Sequence, residues 1–134
     1  MIMSGRTLKV TFVMYLVVLS LFLSPGASAN VQGVKASELL VNQMSDTPYT
    51  IIDVRTVEEY TGGHIKGAIN IPYDQIEAQS FLLNELKDKT LVVYCRSGRR
   101  AHIFESALSK RGFTLLHLEG DMLGWQAQGL PLIK

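Results

Sequence analysis

The apolar residues fall in short runs separated by turn formers, and the runs alternate between two periods. Thr90–Tyr94 is a continuous apolar run of the kind carried by a strand buried on both faces. Tyr49–Val54 is β-branched and reads as a second strand, and Thr114–Leu118 as a third. Val31–Val34 and Gly67–Ile71 predict two short strands, the latter stopped by Pro72. Between these runs the spacing turns helical. Ser37–Met44 predicts a helix with Ser37 as N-cap and Leu39, Leu40 and Met44 as its apolar face. Thr56–Tyr60 predicts a short helix capped by Thr56 and ended by Gly62-Gly63. Asp74–Lys87 holds helical material with Phe81, Leu82, Leu83 and Leu86 on its apolar side. Arg100–Lys110 presents Ala101, Phe104, Ala107 and Leu108, and Met122–Gln128 is the last helix. Strands alternating with helices predict an α/β fold, with a central, mainly parallel five-stranded sheet flanked by helices.

One apolar run is of a different kind. Thr11–Leu23 follows a start that carries Arg6 and Lys9 and no acid, and Ser24-Pro25-Gly26 and Ala27-Ser28-Ala29 follow it. A basic start, a short apolar stretch and a small-x-small site describe a secretory signal peptide. The run is shorter than the about 20 residues that span a bilayer, which weighs against an uncleaved anchor. The expectation is therefore a cleaved segment 1–29, a single domain 30–134, and export to a periplasm or beyond, with no stable membrane insertion after cleavage.

The whole chain has 13 basic and 12 acidic residues; setting aside Arg6 and Lys9 leaves the domain near −1. That balance argues against nucleic acid or an anionic membrane as partner. A domain of this size buries one modest core. There is a single Cys, Cys95. In an oxidising compartment cysteines pair or are avoided, so a lone one needs a reason. A buried, inert thiol is the plain alternative.

The surroundings of Cys95 argue against inertness. It ends the most apolar strand and opens the segment Cys95-Arg96-Ser97-Gly98-Arg99-Arg100-Ala101, which runs into a helix. In parallel sheets, sites lie beyond the carboxyl ends of the strands. The first amides of a helix lack internal partners and, with the helix dipole, favour an anion. Gly98 lets the loop curl so that amides converge. Arg96, Arg99 and Arg100 make a cationic focus in a near-neutral domain, and such a setting favours a thiolate nucleophile. The three histidines, His64, His102 and His117, show no ligand spacing, so neither metal nor organic cofactor is expected.

These residues resemble the rhodanese family of sulfurtransferases over nearly all of residues 30–134. Asp53-Val54-Arg55, Glu58-Glu59-Tyr60, Gly63-His64-Ile65 and Gly67-Ala68-Ile69-Asn70-Ile71-Pro72 match its N-terminal signature in order and spacing. Cys95-Arg96-Ser97-Gly98-x-Arg100 matches its active-site loop, and Gly120, Trp125, Gly129 and Pro131 its C-terminal signature. Asp121 departs from the pattern, since the family often has a second Gly there. One domain behind a signal peptide is similar to the periplasmic phage-shock type. Cysteine phosphatases use Cys-x(5)-Arg; here that position is Ala101 and the Arg comes one residue earlier, at Arg100. The resemblance implies that this shorter loop fits a sulfur atom rather than a phosphate.

The resemblance further implies a rhodanese-like three-layer fold and a double displacement. Cys95 takes the outer sulfur of thiosulfate or another persulfide donor and passes it to cyanide or a thiol. The alternative is a sulfur carrier that loads Cys95 and delivers only to a thiol protein. Amides from Arg96 through Ser97 and Gly98 to Arg99 and Arg100 are expected to cradle the persulfide. Arg96 and Arg100 are the favoured donor-binding pair, with Arg99 facing solvent. Asp53 and Arg55 either wall the pocket or form an internal ion pair with Glu58 or Glu59 as further partners, the latter being favoured. His102 either approaches the site or stands idle, Trp125 is core or pocket rim, and His64 is a structural hydrogen-bonding residue.

Overall fold

The computed structural model describes residues 30–134; the expected signal segment 1–29 lies outside the described residues. Five strands, β1 (Gln32–Val34), β2 (Thr50–Asp53), β3 (Ile69–Asn70), β4 (Thr90–Tyr94) and β5 (Thr114–Leu118), form one sheet in the order β1-β5-β4-β2-β3. Every pairing is parallel. Five helices complete it: α1 (Ala36–Asn42), α2 (Val57–Thr61), α3 (Ser80–Glu85), α4 (Arg99–Ser109) and α5 (Asp121–Ala127). Among the described residues no helix is long and apolar enough to cross a membrane.

The period of two along a strand splits β4 between two cores. Leu91 and Val93, with Cys95 after them, join Leu83 of α3 and Ala101, Phe104 and Leu108 of α4. Val92 and Tyr94 point the other way, toward Leu39 of α1 and Met122 and Trp125 of α5. β4 is thus buried on both faces, as its unbroken apolar run predicts. Chain direction then makes a crevice. The connection after β2 leads outward to β3, and the one after β4 leads the opposite way, to β5. Adjacent strands whose connections diverge leave a gap beyond their carboxyl ends, and Cys95 sits there.

Besides one-residue shifts at α2, α4 and α5, helix ends and faces depart from the expectation in four places. The N-cap position of α1 is Lys35, not Ser37, and Lys35 N donates to the Glu38 carboxylate at 2.9 Å. Of its expected apolar face only Leu39 is buried; Leu40 and Met44 are exposed. Helical material over 74–87 narrows to Ser80–Glu85, with residues 76–79 in turns anchored by the buried Ile76. Phe81 faces solvent because, at about 100° per residue, it lies opposite the arc shared by Leu82, Leu83 and Leu86. Thr56 does cap α2: its hydroxyl accepts from Glu59 N at 3.2 Å while the Glu59 carboxylate accepts from Thr56 N at 3.0 Å.

Candidate active site

The Cys95 loop is built by the strand behind it and two helix starts around it. Cys95 is 1% exposed, and its Sγ accepts a hydrogen bond from Gly98 N at 3.0 Å. That curl needs φ of 115° at Gly98, a value L side chains rarely adopt. Gly98 is also the N-cap position of α4, and of the loop amides expected to cradle the sulfur it is Gly98 N that bonds it. The start of α5 holds the loop from beneath. Asp121 Oδ1 accepts from Cys95 N at 2.9 Å, Met122 N donates to Cys95 O at 3.0 Å, and Leu123 N donates to Arg96 O at 3.1 Å.

The three loop arginines have different fates. Both terminal nitrogens of Arg100 bond Glu59, at 2.6 and 3.0 Å, which ties α4 to α2 across the crevice. Arg100 is therefore committed to a carboxylate, and the expected pairing of Arg96 and Arg100 on a donor is not the arrangement seen. The Arg100 hydrogen bonds hold the Glu59 carboxyl at about 2, with the Thr56 amide helping and burial opposing. Arg96 and Arg99 are exposed, as is Ser97. At Arg96 a cleft of about 320 Å³ opens beside the loop, lined also by Arg55, Glu58, Glu59, Met122 and Leu123.

Asp53 and Arg55 form an ion pair, and Arg55 also lines the cleft, so both expected roles meet in one residue. Arg55 Nη2 reaches Asp53 Oδ2 at 2.6 Å and donates to Gly63 O at 2.8 Å. The expectation of Glu58 or Glu59 as partner is corrected: Glu59 goes to Arg100 instead. Tyr94 OH donates to Asp53 Oδ2 at 2.7 Å and accepts from Ile65 N. Burial, then the Asp53 charge, pushes the Tyr94 hydroxyl far up, so it stays a donor. Burial opposes the Arg55 charge, yet the Asp53 hydrogen bonds and charge win and raise it.

Trp125 is core rather than rim. It is 2% exposed, its Nε1 donates to Pro131 O at 3.0 Å, and it does not line the cleft. His64 is structural: Nδ1 bonds Tyr60 O at 2.9 Å and the ring stacks on Tyr60. His102 borders the loop at Gly98 but stands outside the cleft, its side chain 67% exposed and its ring stacked on His117.

The residues that sequence reasoning missed form a network that reaches the loop through Asp121. Asp121, noted only as a departure, is 3% exposed and touches Cys95 directly. Its Oδ2 meets His117 Nε2 at 3.1 Å, and His117 Nδ1 meets Glu105 Oε1 at 2.6 Å. His102, Glu105 and His117 gather within metal-binding reach of one another. The two rings, however, lie one over the other, 4.5 Å apart and 14° from parallel, so one ion cannot sit in both ring planes. This arrangement is an ionic network rather than a ligand set.

Comparison with known proteins gives this geometry a family context. The family model described as "Rhodanese-like domain" matches residues 36–128. A "Sulfurtransferase" of Allochromatium vinosum is 33% identical over 100 residues, covering 72% of this chain and 91% of that protein. A "tRNA uridine(34) hydroxylase" of Pectobacterium carotovorum is 36% identical over 115 residues, covering 78% of this chain but 32% of that protein, so the chain spans about a third of its length. Among solved structures, a rhodanese-like domain protein from Staphylococcus aureus superposes with TM-score 0.66 at 30% identity, covering 78% of this chain and all of that one. A rhodanese-related protein from Thermoplasma volcanium gives TM-score 0.67 at 29% identity, with 76% and 97% covered.

Proposed function

The chain belongs to the rhodanese-like family, and on that premise we propose that it is a thiosulfate or persulfide sulfurtransferase working through Cys95. The observation that carries this reading is the Gly98 amide aimed at Cys95 Sγ at 3.0 Å, at the end of a buried strand. In the first step the Cys95 thiolate attacks the outer sulfur of thiosulfate. The sulfur–sulfur bond breaks, and sulfite departs with the bonding pair. In the second, cyanide or a thiolate attacks the outer sulfur of the Cys95 persulfide, and the Cys95 thiolate is restored. The Gly98 amide stabilises the charge on sulfur in both steps, as an oxyanion hole does on oxygen. Arg96, exposed at the cleft, takes the donor's sulfonate, and Arg99 draws anions inward; Arg100 keeps α2 and α4 in place.

The near-complete coverage of the Allochromatium vinosum sulfurtransferase supports this reading over the hydroxylase relatives, of which this chain spans only a part. We extend the proposal to the compartment: the segment 1–29 directs export and is removed, and the domain acts in the periplasm. The test is thiocyanate formation from thiosulfate and cyanide, together with the intact mass after donor treatment. The wild-type protein gains one sulfur atom and turns over, and Cys95→Ser does neither. Loading without turnover on small acceptors would favour a carrier that delivers to a thiol protein. A wild type that never gains sulfur from any donor sinks the proposal.

A further inference from the structure

A buried chain of charge runs from the surface to the Cys95 amide. Glu105, on α4, is 2% exposed, and its two oxygens face His102 Nδ1 at 3.2 Å and His117 Nδ1 at 2.6 Å. His117, on β5, faces Glu105 with one ring nitrogen and Asp121 with the other. Asp121, opening α5, faces His117 with one oxygen and Cys95 N with the other. A carboxylate oxygen accepts hydrogen bonds, so a ring held between two of them carries a proton on each nitrogen. Burial would lower the His117 imidazolium, but the hydrogen bonds and charges of Asp121 and Glu105 override it and lift its pKa to about 10. The groups facing His117 are thus Glu105 and His102 from α4 and Asp121 from α5.

Asp121 sits where this arrangement costs backbone freedom. It is the one non-glycine residue among those described with positive φ, at 54°. The conformation is held against strain by what its side chain does. An acceptor for the Cys95 amide fixes the first residue of the loop, yet a lone carboxylate beneath the thiol would repel the thiolate. The imidazolium on its far side supplies the opposite charge.

We propose that Asp121 and His117 act as a positioning pair for Cys95: Asp121 clamps the Cys95 amide, and the His117 imidazolium, anchored by Glu105, offsets the clamp's charge. The proposal deepens the sulfurtransferase reading and rests on Cys95 being its nucleophile. Its test reads the thiol itself, so it stands or falls separately from sulfur transfer. The rate of Cys95 alkylation by iodoacetamide is measured against pH for the protein as isolated and for three variants. Asp121→Asn keeps an oxygen for the Cys95 amide and removes a negative charge, so the alkylation midpoint falls. His117→Gln removes the positive charge, and the midpoint rises. Each shift is at least about half a pH unit, as expected of a unit charge bonded to the thiol's own backbone, or one hydrogen bond further, in a screened interior. The double variant returns toward wild type, because the two charges cancel. Midpoints that move in the same direction, or do not move in folded variants, overturn the proposal. A readout on the wild type stands independently of how the variants fold. Nitrogen NMR shifts of His117 at pH 8 show both ring nitrogens protonated, and a neutral ring with one bare nitrogen overturns it. Opposite midpoint shifts in a protein that never loads sulfur would uphold the pair and refute the sulfurtransferase reading.

Discussion

Gly98 concentrates three demands on one residue. Its φ of 115° turns the loop, its amide reaches the Cys95 sulfur, and its missing side chain leaves room for Asp121. A Cβ added there would stand 3.1 Å from Asp121 Oδ2 and 3.6 Å from His102 Nε2, so Gly98→Ala strains the backbone and presses on the clamp at once. The backbone part costs about 1–3 kcal/mol of stability. Displacing the amide from sulfur costs on the order of 3 kcal/mol in the barrier, or roughly a hundredfold in rate. Denaturant unfolding and the rate of sulfur loading on Cys95 check both numbers; a variant that loads sulfur at the wild-type rate would remove Gly98 from the cradle. The contact of the Gly98 amide with Cys95 was legible from the sequence because its parts are neighbours: a Cys, a Gly three residues on, and a helix start. Asp121, His117 and Glu105 were not, because they meet Cys95 and one another from separate elements. Nothing in their spacing announces a contact between β5, α4 and α5, and only the break in an expected glycine pair drew attention to Asp121.

The elements show the same division between local and distant causes. β4 is readable from its apolar run because burial on both faces leaves no other pattern. α2 is readable from Thr56 as its cap, and the structure adds Glu59 as the reciprocal partner three residues on. α3 is read too long because the sequence shows the leucines but not that the chain before them is held in turns by Ile76. The link from α2 to α4 is also distant, and it makes a prediction about pH. Glu59 accepts both nitrogens of Arg100, and its folded pKa of about 2 lies below its ordinary value of 4.5. A depressed carboxyl adds stability that is full above the unfolded pKa and is lost as pH falls from about 4.5 toward 2. The pair is partly exposed, so solvent screening holds its worth to about 1 kcal/mol. Glu59→Gln retains the reciprocal cap, since Gln serves that position as well as Glu. The variant is therefore expected to lose about 1 kcal/mol at pH 7 and to match wild type near pH 2. Urea unfolding at the two pH values measures it. An equal deficit at both would assign the loss to the cap instead of the ion pair.

At the scale of the molecule, the proposed export would set the thiol two demands: to avoid stray disulfides and still react with a small donor. Depth answers the first demand: Cys95 is 1% exposed, while Arg96 stands at an open cleft beside the loop. The described elements begin with β1 at Gln32, and the segment near the end of the chain is tied in by the pairing of His64 with Ile133. Cleavage after Ala29 would therefore leave every strand and helix among the described residues intact. The proposal of export makes a prediction that one measurement reads. Protein recovered from the periplasm of its host has an intact mass that begins at Asn30, and it carries no added thiol from a mixed disulfide on Cys95. A fraction one sulfur atom heavier is the loaded enzyme, and treatment with cyanide removes that atom because the persulfide's outer sulfur is the electrophile. A mass that retains residues 1–29 would make the segment an anchor. A Cys95 found as a mixed disulfide would show that burial does not protect the thiol, and it would turn the reading toward a redox role.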